Sequence, residues 1–320
     1  MTNISKEMRE RLGREADVVW PEAVQVQTSR DDGTTKFLLA LADGQRIESV
    51  LIPEKDHFTL CLSTQVGCAF GCTFCATGRM GLVRNLTMAE ILGQILMAQE
   101  HVAGLPTGLT TGQATGVTQG LTQGLALRNL VFMGMGEPLL NWENLRRALE
   151  ALHHPTGLNF SKRRITVSTV GVPGMLAELG ALGFASLAVS LHAPTQELRA
   201  RIMPKAARFP LDDLIADLAA YPLQPRQKIT IEYVMLGGVN DDLSHARELV
   251  RLLNKVKAKV NLIPFHPSPE LPYAAPDMNR VLAFENLLKT KGLPATLRKS
   301  KGQDISAACG QLRAEMAALE

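Results

Sequence analysis

Apolar and polar positions first settle into a β pattern. Ala23–Thr28, Thr35–Leu41 and Arg46–Ile52 read as strands. Asp32-Gly33 and Asp43-Gly44 lie between them, and both dipeptides favour tight hairpin turns. From Thr59 the pattern changes to alternating strands and helices. Strands are expected at Thr59–Val66, Asn129–Met133, Arg164–Thr169, Ser186–Leu191, Lys228–Val234 and Lys259–Pro264. Helical stretches lie near Met88–His101, Trp142–His153, Gly174–Leu182, Gln196–Met203, Leu211–Tyr221 and Leu243–Val256. Thr87-Met88-Ala89-Glu90 is a capping box, and Asn141 and Thr195 are N-cap candidates.

Six βα units imply a parallel sheet with crossover helices. Six strands fall short of a closed eight-stranded barrel. The expected fold is therefore α/β: an open, partial (β/α)6 barrel with a small N-terminal β unit. Residues 1–55 would form a short N-terminal segment and the β unit, and residues 56–320 the barrel with its C-terminal segment. In such folds chemistry gathers at the C-terminal ends of the strands. Residues 104–125 interrupt the pattern with a degenerate repeat rich in Gly, Thr and Gln. Frequent glycine opposes a stable helix there, and too little apolar material is present for a core, so the segment reads as a flexible insertion.

Composition narrows the function classes. Of 320 residues, 46% are apolar, enough for a sizeable core. Aromatics are 5%, which disfavours a surface built on base stacking. The net charge of +3 permits an RNA partner without requiring one. Met1–Val18 lacks the apolar stretch of a signal peptide, and no apolar run reaches the ~18 residues of a membrane span. A cytoplasmic protein with no membrane partner is expected. Its five cysteines are an odd, clustered set, which suits thiol or metal chemistry rather than a disulfide framework.

Three of those cysteines form the run Cys68-x3-Cys72-x2-Cys75 after a strand-like segment. Three thiolates can hold three irons of a [4Fe–4S] cluster and leave the fourth open, whereas electron-transfer clusters take four cysteines. For this spacing the open iron suits S-adenosylmethionine (SAM) and radical chemistry. A zinc knuckle would need a histidine or fourth cysteine nearby, and none is close.

Further polar motifs fall at strand ends. Gly134-Met135-Gly136-Glu137-Pro138 offers exposed backbone and one carboxylate, which suits the ammonium group of SAM. Ser168 ends the third barrel strand, and Ser190-Leu191-His192 ends the fourth. Cys309 is flanked by small residues. Cys61 shares one face of its expected strand with Thr59, Ser63 and Gln65. Taken alone, Cys61 reads as a packed core thiol and Cys309 as a small buried residue.

The cluster motif, the Gly-Met-Gly-Glu-Pro turn, Ser190–Ala193 and Asp304–Leu312 together resemble the RlmN/Cfr family of radical SAM RNA methyltransferases. The similarity covers about residues 23–312, apart from the insertion. It implies that Cys68, Cys72 and Cys75 hold the cluster. Gly136, Glu137, Ser168 and Ser190, Leu191 and His192 would line the SAM site, with His266 where relatives commonly have Asn. Cys309 would accept and carry the methyl group. Cys61 would resolve an enzyme–RNA crosslink through a transient disulfide, and Glu48 matches the position of the proton acceptor. RlmN-type members methylate C2 of an adenine in 23S rRNA, and often C2 of a tRNA adenine. Cfr-type members attack C8 of the rRNA adenine. The implied partners are 23S rRNA, tRNA and an electron donor such as flavodoxin or ferredoxin, with the chain a monomer. A radical SAM enzyme that activates a protein is the alternative from another class.

The chemistry explains two cysteines. C2 of adenine is electron-poor, so direct polar attack on the SAM methyl is closed to it. A thiolate is an adequate nucleophile for that methyl. A carbon radical made on the thioether can add to the base. Release then needs loss of a proton and attack by a second thiol. C2 lies on the minor-groove edge, so the base must leave its stack or sit in a loop. Lys162-Arg163-Arg164, Lys205, Arg208, Arg226, Lys228, Arg298, Lys299 and Lys301 are available for phosphate. Relatives usually carry a helical RNA-binding domain ahead of the β unit, where this chain has little more than 20 residues.

Overall fold

The computed structural model describes residues 4–15, 21–105, 126–268 and 270–313. The 104–125 insertion lies, beyond Leu105, outside the described residues. A helix, α1 (Lys6–Glu15), precedes three antiparallel strands, β1 (Glu22–Thr28), β2 (Thr35–Ala40) and β3 (Arg46–Pro53). Next come β4 (Phe58–Cys61), β5 (Gln65–Gly67), α2 (Ala76–Met80), β6 (Leu82–Asn85) and α3 (Met88–Ala103). Alternation then runs through β7 (Leu127–Phe132), α4 (Trp142–His153), β8 (Ile165–Thr169), α5 (Met175–Leu182), β9 (Ser186–Ser190), α6 (Gln196–Ile202) and α7 (Leu211–Ala220). It ends with β10 (Ile229–Met235), α8 (Leu243–Leu252), β11 (Ala258–Pro264), α9 (Met278–Thr290) and β12 (Ala295–Leu297).

Ten strands form one sheet in the order β1-β2-β3-β4-β7-β8-β9-β10-β11-β12. β1 to β4 pair antiparallel, and every pairing from β4 onward is parallel. The α/β expectation is met. β4 is the switch: Cys61 pairs with Val50 on one side and Val131 on the other. The parallel part has seven strands rather than six. The seventh, β12, follows α9, whose Asp277 cap accepts from Asn279 and Arg280 amides at 2.7 and 3.2 Å. Val281, Phe284 and Leu288 of α9 are buried at helical spacing.

The strand expected over Thr59–Val66 is two elements. β4 stops at Cys61, and β5 leaves the main sheet to pair with β6 as a separate ribbon. Ser63 and Gln65 therefore do not continue the face of Cys61. The Ser63 hydroxyl instead donates to the Glu48 carbonyl at 2.6 Å, and its amide donates to Gln94 at 2.9 Å. α3 begins at the expected capping box, with both reciprocal bonds made. It buries Ile91, Ile95 and Ala98, and each large aliphatic contributes ~1.5–3 kcal/mol on leaving water. Thr195 caps α6 as expected. Asn141 holds the N-cap position of α4 but donates to the carbonyls of Thr64 and Leu86 at 2.8 and 2.7 Å. It ties the β5–β6 ribbon to the barrel.

Candidate active site

The C-terminal ends of the parallel strands surround a cavity of about 970 Å³, including its open mouth. Its floor begins at the ribbon. Gly67 has φ +75°, and a Cβ there would stand 1.8 Å from the Gly81 carbonyl. Only glycine allows the chain to cross at this point. Cys68 N–H then donates to that same carbonyl at 2.8 Å. The Thr73 amide and hydroxyl both donate to the Ile202 carbonyl, at 2.9 and 3.1 Å, which docks the cysteine loop on the end of α6. Cys68, Cys72 and Cys75 all line the cavity. Burial pushes the Cys68 thiol up to about 12 and raises Cys72 and Cys75 as well.

Gly136 and Glu137 reach the cavity from the turn after β7. The Glu137 carboxylate is buried and accepts from the amides of Leu139 at 3.0 Å and Val170 at 2.9 Å. Burial still outweighs those bonds and lifts its pKa to about 7. Ser168 and Ser190 line the same wall, their hydroxyls 3.5 Å apart. His192 stands at φ +57° and is buried. Its Nδ1 accepts from the Val234 amide at 3.0 Å, so the neutral ring carries its proton on Nε2. Burial pushes this imidazole down to about 3. Asn240 secures the strained residue by donating to its carbonyl at 2.9 Å.

Cys309 is exposed, not buried, and it lines the cavity. It also lines a recess beside it, together with Cys61, Val50, Ile52, Met133 and Arg298. Both cysteines are free thiols. Burial, then the neighbouring Cys309, pushes the Cys61 thiol up to about 12. The C-terminal segment is held by the cysteine loop itself. Ala76 N–H donates to the Gly310 carbonyl at 2.7 Å, and the Thr77 hydroxyl to the Leu312 carbonyl at 2.6 Å.

Three expected residues stand elsewhere. Leu191 is fully buried in the core. His266 follows β11, half-buried, and does not line the cavity. Glu48 lines a different, polar hollow between the small β unit and the C-terminal segment. Its carboxylate pairs with Lys36 at 3.0 Å and accepts the Arg313 amide at 2.6 Å. The cavity also holds residues that motif reading passed over. Glu232 sits on β10, 5% exposed, bonded to Asn261 at 2.7 Å. Arg298, noted only as a basic residue, lines both the cavity and the recess. Nearby Cys309 and Glu232 hold its guanidinium charged. A carboxylate inside the apolar run Ile229–Met235 was the available signal for Glu232.

The profile of the radical SAM superfamily matches residues 121–253. The chain is 61% identical over 315 residues to a "Dual-specificity RNA methyltransferase RlmN" of Solidesulfovibrio magneticus, covering 98% of this chain and 85% of that protein. It is 45% identical to a protein of the same description from Geobacter sulfurreducens, covering 82% of that protein. The chain belongs to the RlmN family of radical SAM RNA methyltransferases. A crystal structure described as a radical SAM methyltransferase from Sphaerobacter thermophilus superposes with a TM-score of 0.87 at 43% identity, over 98% of this chain and 87% of that one. SuiB of Streptococcus suis, at 12% identity and a TM-score of 0.53, shares the fold.

Family membership brings a [4Fe–4S] cluster and SAM. The residues fit both. Cys68, Cys72 and Cys75 line one cavity, and a four-iron cluster takes one thiolate per corner, so three cysteines hold three irons. The buried Glu137 carboxylate, in the same cavity, suits an ammonium group.

Proposed function

We propose that the enzyme methylates C2 of adenine in 23S rRNA, and in tRNA, through a methylated cysteine carrier. One observation carries this reading: Cys309 lines both the cavity of the cysteine triplet and the recess that holds Cys61. A carrier needs both neighbours, a methyl source on one side and a resolving thiol on the other.

Cluster and SAM, when bound, supply the methyl group and a hydrogen-abstracting radical. Cys68, Cys72 and Cys75 hold the cluster. Gly136 and Glu137 hold the ammonium group. Ser168, Ser190 and His192 bond other polar groups of SAM, while Leu191 and His266 stand outside the cavity and would act only through their neighbours. Cys309 takes the methyl as a nucleophile. Arg298 lines both the cavity and the recess, and its cation opposes, without cancelling, the burial that raises Cys61. Cys61 later attacks the Cys309 sulfur, and the carbon–sulfur bond breaks as the disulfide forms. Glu48 is assigned the substrate proton. Its carboxylate now faces Lys36 and the Arg313 amide, so that role requires the C-terminal contact to open. Residues 1–55 act as a β unit attached to the catalytic barrel of residues 56–320. The enzyme works in the cytoplasm as a monomer, reduced by a flavodoxin- or ferredoxin-type donor. Among the described residues, no helix is long and apolar enough to cross a membrane.

The test compares two variants on unmodified rRNA and tRNA. Cys309→Ala should keep its cluster and show neither methylated protein nor methylated RNA. Cys61→Ala should methylate Cys309, attach to RNA and stall as a nuclease-sensitive covalent complex on a denaturing gel. Normal turnover by Cys61→Ala overturns the two-cysteine scheme. Exclusive 8-methyladenine from the unaltered enzyme would assign the Cfr-type reaction. A protein-activating enzyme has no need of a methylated Cys309.

A further inference from the structure

Arg199 of α6 is the largest fully buried side chain among the described residues, at 0% exposure. A buried guanidinium ordinarily has a carboxylate beside it, because an isolated charge costs several kcal/mol to bury, on the order of magnitude set by ion desolvation. Arg199 forms no ion pair among the described residues. Nη2 donates to the Val170 carbonyl at 2.7 Å and Nη1 to the Ala206 carbonyl at 3.4 Å. Nε is buried with no partner at all. Glu137 does not supply the missing charge. It accepts from the Val170 N–H, while Arg199 donates to the Val170 carbonyl.

Arg199 stands behind the wall of the cluster cavity: Val170, whose carbonyl it binds, lines that cavity together with the three cysteines. The end of its helix is gripped by both donors of Thr73, the residue after Cys72. Two carbonyl dipoles do not neutralise a buried cation. Three thiolates and a cluster do, since the bound site carries net negative charge that grows by one on reduction.

We infer that Arg199 is the built-in counter-ion of the iron–sulfur cluster, a positioning residue on the helix that docks the cysteine loop, and that it favours the reduced state. The inference rests on the family assignment for the cluster, and it is independent of which RNA base is methylated. A cation near the cluster stabilises the more negative, reduced form and so raises its potential. The unloaded protein bears an uncompensated charge that loading relieves.

The experiment compares Arg199→Gln, which keeps an N–H donor for Val170 but no charge, with Arg199→Lys, which keeps the charge. Melting temperature is measured before and after cluster reconstitution, and the cluster's midpoint potential by EPR titration. Arg199→Gln should gain less stability on loading than the parent. Its reduced-to-oxidised ratio at fixed potential should fall about tenfold, a negative shift of ~59 mV for one electron. Arg199→Lys should retain most of both. If both variants lose unloaded stability equally while the loading gain and potential stay at parental values, Arg199 only ties two carbonyls and the inference fails. Should Arg199→Gln not fold, Arg199→Lys decides alone. A parental potential with the carbonyl bonds disturbed supports the counter-ion role, and a fall in potential with the charge retained overturns it.

Discussion

Ala76 donates its amide proton to the carbonyl of Gly310 at 2.7 Å. The first residue follows Cys75 and the second follows Cys309, so two proposed reaction centres are joined by one backbone bond. Thr77 reinforces the join through Leu312. Local order in the cysteine loop is thereby passed to the segment that presents Cys309.

Thr77 tests that coupling. Its hydroxyl is buried, and losing it leaves the Leu312 carbonyl short of a donor, at about 1–3 kcal/mol. Thr77→Val should bind iron normally yet load methyl on Cys309 about tenfold more slowly, as that range of energies implies. Thr77→Ser should restore the rate. Mass spectrometry of the Cys309 peptide gives the readout, and unchanged loading in Thr77→Val would show that the bond is dispensable.

Lys36 and Glu48 pair at 3.0 Å with side chains 12% and 5% exposed. Removing one partner leaves a poorly solvated charge, a loss of about 3–5 kcal/mol. Lys36→Met and Glu48→Gln should each lower the denaturant midpoint. The double variant should be more stable than the sum of the two losses predicts. Additive losses would mean that the pair is not coupled.

Two buried groups of the cavity push the pH response of the unloaded protein in opposite directions. Glu137 has a folded pKa of about 7, above its unfolded 4.5, so folding takes up a proton between those values. That contribution makes stability fall as pH rises through the window, by at most about 3 kcal/mol. His192 has a folded pKa of about 3, below its unfolded 6.5, so folding releases a proton. Its contribution makes stability rise with pH and is lost as pH falls toward 3. Between 4.5 and 6.5 the two offset each other. Relative to the parent, urea melts across that range should tilt toward stability rising with pH in Glu137→Gln and toward stability falling with pH in His192→Gln.

Gly136 stands at φ +102°, where a Cβ would lie 2.6 Å from the Gln65 Cβ and 2.8 Å from its amide nitrogen. Neither atom is the free end of a side chain. Gly136→Ala should therefore shift the turn that carries Glu137 and weaken SAM binding at least tenfold in calorimetry, with strain of about 1–3 kcal/mol. Unchanged affinity would show that the turn adapts.

The parallel strands and most crossover helices were legible because buried strands carry apolar runs and the helices carry a 3.6-residue stripe. The triplet Cys68, Cys72 and Cys75 was legible from spacing alone. What escaped were features set by distant contacts. The break after Cys61 depends on Ser63 bonding to Glu48 and Gln94. Asn141 gave up its expected capping bond for carbonyls 55 and 77 positions away. β12 is three residues long, too short to show a period. Arg199 looked like any helix-surface arginine, because its burial is decided by Val170 and Ala206.

The segment bearing Cys309 is pinned on both sides of the sulfur. Gly302 N–H donates to Asp32 at 3.0 Å, and the Gly310 carbonyl accepts from Ala76 N–H at 2.7 Å. A strip fastened like a handle cannot swing its sulfur far from the barrel. In the proposed reaction the travel then falls to the nucleotide, and the energy of extrusion is charged to the RNA. Sites are thereby ranked by how loosely their purine is held, before any base edge is read. A helix that stacks well protects its own adenines, and a hairpin tip offers them up.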